Sequence, residues 1–173
     1  MAANAFYRMV NRQHMTTPAP DIFARIYARH GHRCTMSTLG GRIGLAVLRL
    51  RRAEWEDVRG CYLTRTCAVD GIVEVTGLSE DDGRLQVIPE GRHLLRLEHA
   101  AGRLEIELAP TALELAGNYR RLGYQLEAGW DDLDFAERER REGLREEALD
   151  ALLVKLWEMG DDELLLIREE NHG

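Results

Sequence analysis

Lysine is almost missing from this chain: of 23 basic residues, Lys155 is the single lysine and the rest are arginines. That bias reads as genome composition and carries no mechanism. Cysteine is scarce, with only Cys34, Cys61 and Cys67. So low and odd a count excludes a disulfide-stapled scaffold and points to reduced thiols in a cytoplasm. No apolar run approaches the roughly 18 residues that a membrane-spanning helix needs. The first twenty residues contain no continuous apolar stretch, so no signal peptide is expected. Positive charge is not in excess. The net charge of −7 argues against nucleic acid as the main partner. Internal repeats and low-complexity tracts are also lacking.

What is present is an ordinary globular composition. The 173 residues are 45% hydrophobic, enough for one domain with a core that needs no metal to hold it. A metal found here would therefore serve function more than folding. Residues 1–60 carry ten arginines against four acidic residues. Such a basic front half suits an anionic ligand or an acidic partner, although solvated arginines on helix faces are the plainer explanation.

Punctuation along the chain suggests three parts: a flexible N-terminal segment over 1–20, a main domain over 21–129 and a C-terminal helical extension over 130–173. The breaker TTPAP ends at Pro20, and Ile22, Phe23, Ile26 and Tyr27 then recur at helical spacing up to His30. Gly31 interrupts that helix. A second helix is expected over 38–52, with Leu39, Ile43, Ala46, Val47 and Leu50 on one stripe. Gly40, Gly41 and Gly44 near its start permit close backbone approach, to another element or to a ligand. A strand is expected over 58–66 and a short helix over 67–77. Three runs, 84–88, 93–98 and 104–108, read as an antiparallel meander, the last alternating apolar and charged residues. Pro110 opens a helix that Gly123 should break. A long charged helix is expected over 131–158, amphipathic in its second half through Leu149, Leu152, Leu153, Leu156 and Trp157, and Leu164 to Ile167 form a possible last strand.

The chemistry-bearing residues gather in HGHRC, which places His30, His32 and Cys34 within five residues. Imidazole and thiolate suit zinc and similar ions, at about 2.0–2.1 Å and 2.3 Å respectively. One segment supplies too few ligands, and Cys67 is the best additional candidate. It stands at the expected start of a helix, where the dipole favours thiolate. Asp70 follows one turn later and could ligate, orient a histidine or act as a base. Cys61, inside a strand, reads as a small buried hydrophobe. The glycine-rich stretch at Gly40 and Gly41 with Arg42 could bind an anion at a helix N-terminus.

The order of these motifs resembles the FmdE-like family, named for a component of formylmethanofuran dehydrogenase. Gly31, His32 and Cys34 match its Gly-His-x-Cys motif, Gly40, Arg42 and Gly44 its Gly-x-Arg-x-Gly helix start, and Cys67 with Asp70 its Cys-x-x-Asp helix. The resemblance covers roughly residues 22–170. It implies an α+β fold with a core α-β-α-β-β-β and a C-terminal helical extension, the order already read over 38–108. It also implies a homodimer and a transition-metal site, usually zinc, with Ni2+ or Fe2+ as other possibilities, drawn from His32, Cys34 and Cys67 with His30 beside them. Departures surround the motifs. Thr35 and Met36 replace the Pro-Gly after the motif cysteine, an acidic residue before the second cysteine is missing, and no cysteine follows Cys67 to build the zinc ribbon of many members. Three functions remain open. One is a metal-binding protein accessory to an oxidoreductase of one-carbon, molybdenum or tungsten metabolism. Another is an enzyme using Cys34, Cys67 and Asp70 on a small anionic substrate. The third is a structural module.

Overall fold

The computed structural model describes residues 17–53 and 55–171. Most of the expected N-terminal segment, residues 1–16, lies outside the described residues. Among those described, six helices and five strands form an α+β fold. In chain order these are α1 (Asp21–His30), α2 (Thr35–Leu50), β1 (Arg59–Tyr62), α3 (Ala68–Thr76), β2 (Leu85–Val87), β3 (Leu94–His99), β4 (Gly102–Leu108), α4 (Pro110–Glu127), α5 (Phe135–Glu158), α6 (Asp161–Leu164) and β5 (Leu165–Asn171), with a 3-10 turn at Trp130–Asp132. From α2 to β4 the order is the expected α-β-α-β-β-β.

The strands form one sheet in the order β2-β1-β3-β4-β5. This corrects the expected meander. Strands β3 and β4 are antiparallel neighbours as expected, but β2 does not join them: it pairs parallel to β1, which stands between β2 and β3. The reason is connectivity: β1 leads into α3, and a strand returning from a helix lies parallel to the one that fed it. Alternation in β4 buries Leu104, Ile106 and Leu108 and turns Arg103, Glu105 and Glu107 outward. The buried set packs with Leu95 and Leu97 of β3 against Leu39, Ile43, Ala46 and Val47 of α2. On the outward face Arg96 pairs with Glu105 at 2.8 Å and Arg92 with Glu107 at 3.0 Å.

Two local expectations need correction. Helix α4 runs through Gly123 without a break, since the three turns before that glycine and the one after it outweigh its cost of about 1 kcal/mol. The first strand stops at Tyr62 instead of Thr66, where the ladder with β2 and β3 ends. The C-terminal part packs on the domain and completes its sheet. Leu149 and Leu153 of α5 join Phe23, Ile26 and Tyr27 of α1, while β5 pairs with β4 along seven residues.

Candidate metal centre

The tightest junction in the fold is between α2 and α3, and glycines make it possible. A Cβ on Gly71 would lie 2.2 Å from the Ser37 carbonyl oxygen, and one on Gly40 would lie 2.0 Å from the Ala68 carbonyl oxygen. Backbone therefore touches backbone, and the two helix starts lie side by side. Cys34 is the N-cap residue of α2 and Cys67 that of α3. Helix α1 ends in the same place: its last residue is His30, and Gly31 turns the chain with φ +95° into the left-handed region that glycine favours. One helix C-terminus and two helix N-termini thus deliver three side chains to one spot.

Among the described residues, His30, Cys34 and Cys67 form a group whose ligand atoms all lie within 4.8 Å of one another. The His30 side chain is only 10% exposed. Its Nδ1 lies 2.7 Å from Oδ2 of Asp70, so an ionised Asp70 accepts the Nδ1 proton and leaves the lone pair on Nε2. Nε2 is buried and has no hydrogen-bond partner. A buried imidazole nitrogen left with a free lone pair beside two thiols is the donor set that a borderline-soft transition metal takes. The carboxylate behind the histidine is the orienting partner common to such sites.

The ligand expectation shifts accordingly. His30, expected as the accessory histidine, is the one that converges with the cysteines. His32 is exposed, with its ring centroid 4.3 Å from that of His30, and is outside the converging group. Cys67 also departs from expectation. Burial first, and then the neighbouring Cys34, push its thiol up, so the helix start does not make it a ready thiolate. Cys61 lies on β1, in register with Gln86 and Arg96, away from this group.

The anion-binding role expected of Gly40, Gly41 and Arg42 is a correction. Gly40 is filled by α3, and a Cβ on Gly41 would meet Ile26 at 2.5 Å. The buried Arg42 guanidinium donates to the carbonyls of Leu156 and Trp157 at 2.6 and 3.2 Å and to Asp161 at 2.7 Å. It closes the C-terminal end of α5 against α2 and has no face left for a ligand. A cleft does reach the site from another side. About 370 Å³ in volume, it is lined by His30, Cys67 and Asp70 together with Arg29, Arg65, Thr66, Ser79, Glu80 and Asp81. Arg65 and Glu80 pair across it at 2.6 Å, so its lining mixes both signs of charge.

A family model described as FmdE, molybdenum formylmethanofuran dehydrogenase operon, matches residues 29–165. The chain belongs to the FmdE family. The match spans all three converging residues and Asp70 of this FmdE-family chain. The fold is also similar to the crystal structure of an FmdE-like protein of tungsten formylmethanofuran dehydrogenase from Syntrophus aciditrophicus. There the identity is 19%, the TM-score 0.55, and the superposition covers 87% of this chain and 70% of that one. No curated protein matches the chain. No helix among the described residues is long and apolar enough to cross a membrane.

Proposed function

We propose that this FmdE-family protein binds one transition metal ion of the zinc type through His30, Cys34 and Cys67, and acts beside a molybdenum or tungsten enzyme of formyl-group oxidation. The observation that carries the reading is the buried, unpartnered Nε2 of His30 facing two thiols. The partner class is supported by the operon named in the family's description. Asp70 holds the His30 ring and its tautomer, and the packed glycines hold the two cysteines side by side. When bound, such a metal supplies Lewis acidity or a stable thiolate anchor.

The adjoining cleft favours a second reading, an enzyme in its own right. Three protein donors leave a tetrahedral ion one free position, and the cleft brings Asp70, a possible base, to the same wall. Its mixed charge gives the expected small anionic substrate no particular support.

Metal analysis of purified protein decides the first step. About one zinc, nickel or iron per chain is expected, lost in Cys34→Ala, Cys67→Ala and His30→Ala and kept in Cys61→Ala and His32→Ala. Loss in His32→Ala with retention in His30→Ala would return His32 to the ligand set, and a metal-free wild type would end the proposal. Co-purification with a larger oxidoreductase supports the accessory role. Light scattering tests the homodimer implied by the resemblance.

A further inference from the structure

Helix α5 reaches the Cys34 loop by two separate polar routes. Arg33 stands between His32 and Cys34 in the chain. Its Nη1 donates to Oδ1 of Asp150 at 2.8 Å and its Nη2 to Oε2 of Glu146 at 3.2 Å. Asp150 is anchored in turn: the Thr17 amide donates to Oδ1 at 3.0 Å and the Thr17 hydroxyl to Oδ2 at 2.8 Å. Both Arg33 and Asp150 are about four-fifths buried, so this pair is better shielded than a surface ion pair. Burial alone would raise the Asp150 carboxyl, but the bonds from Arg33 and Thr17 outweigh it and hold the group below its ordinary range.

The second route is a one-directional relay. Trp157 Nε1, also on α5, donates to the Tyr27 hydroxyl at 3.1 Å. The Tyr27 and Thr38 hydroxyls lie 2.6 Å apart, and Thr38 Oγ1 donates to the Cys34 carbonyl at 2.8 Å. Since Trp157 can only donate and the Cys34 carbonyl can only accept, each hydroxyl between them accepts once and donates once. Tyr27 and Thr38 are buried. The relay ends on the backbone of a proposed metal ligand, and the ion pair ends on the residue before it.

We propose that Asp150 is a positioning residue for the metal centre: together with the Trp157–Tyr27–Thr38 relay it makes α5 the clamp that sets the Cys34 loop against His30 and Cys67. The inference rests on the metal reading above and gives the C-terminal helix a role in it. Metal–ligand distances tolerate only about 0.2 Å, so a loop released from its clamp binds metal less tightly even when all three ligands remain. Losing such outer contacts typically costs 10–100-fold in affinity.

The test compares wild type, Asp150→Asn, Arg33→Ala and the double variant, with Arg145→Ala, whose partner is Glu127, as control. Zinc affinity is measured by competition with a chromophoric chelator. Each single variant should weaken zinc about 10-fold, the double variant no more than the stronger single, and the control not at all. The metal-free proteins are then labelled with a thiol reagent. Cys34 should react faster in Asp150→Asn than in wild type, while the urea midpoint stays near that of the control. Unchanged zinc affinity and labelling rate in Asp150→Asn would overturn the proposal, as would losses that simply track the urea midpoint. If wild type binds no zinc yet Asp150→Asn still labels faster, the clamp stands and the metal reading falls.

Discussion

Replacing Gly71 by alanine should destabilise the protein although it puts a better helix former into a helix. The new methyl would stand 2.2 Å from the Ser37 carbonyl oxygen, 2.4 Å from the Gly41 nitrogen and 2.8 Å from the Gly40 carbonyl carbon. All three are backbone atoms, so no side chain can swing aside. Relief requires α3 to recede from α2 by about 1 Å, breaking the closest packing in the core. Overpacking of this severity costs about 3 kcal/mol, and the gain in helix propensity returns about 1 kcal/mol. The net loss is about 2 kcal/mol, readable as a lowered urea midpoint in far-UV circular dichroism. Gly123→Ala is the matched control. Nothing lies within 4 Å of its Cβ position in α4, so the same substitution there should stabilise by up to about 1 kcal/mol. The two glycines therefore predict opposite signs. The metal centre adds a second reading, because Gly71 lies one turn beyond Cys67 and Ser37 close behind Cys34. A wedge between them should weaken metal binding as well as the fold. Equal stability of Gly71→Ala and wild type would refute the close contact on which this reasoning depends.

Asp134 caps α5 by accepting the Glu137 amide at 2.8 Å, so Asp134→Ala should cost about 1 kcal/mol in thermal unfolding and Asp134→Ser should recover most of it. Arg42→Met should cost about 3 kcal/mol, because the carbonyls of Leu156 and Trp157 and one oxygen of Asp161 lose a buried donor; a neutral effect on unfolding would show that the guanidinium does not close α5. His93 is held below its ordinary pKa by burial and then by the charge of Arg120. Its folded value thus lies below its unfolded value of about 6.5, the unfolded chain binds the extra proton, and stability falls as pH drops through that region. His93→Gln should flatten that part of the stability–pH curve, and an unaltered slope would count against it.

Helices and strands with their own periodicity were legible in the sequence. The stripe of Leu39, Ile43, Ala46 and Val47 and the alternation of Leu104, Ile106 and Leu108 are local signals, and both faces are buried as read. Boundaries and strand order depended on distant partners. Helix α2 begins at Thr35, three residues early, because the Ser37 and Thr38 hydroxyls both bond the Cys34 carbonyl and draw a polar turn into the helix. The place of β2 outside β1 follows from the α3 crossover, and the turn residues Pro89 to Gly91, which read locally as a hairpin connection, instead carry the chain past β1.

The candidate site shows the same division more sharply. Spacing drew attention to His32 and Cys34, which an extended backbone would place on one side. The chain is not extended there: Gly31 turns it after α1, and Cys34 caps the next helix. A usable signal did exist. His30 lies four residues after Ile26 and three after Tyr27, on the apolar stripe that buries α1, so helical periodicity already placed its ring on the inner face. His32 lies past the turn, beyond the reach of that periodicity. What no local pattern contained was the pairing of His30 with Asp70, forty residues on, or of Arg33 with Asp150. Those contacts exist because α1, α3 and α5 pack together through Phe23, Val75 and Leu153. The cysteines and the inner-facing histidine could be read from the chain. Which partners orient them is a property of the packed core, and for that reason the positioning residues sit on the helix that the sequence presents as an appendage.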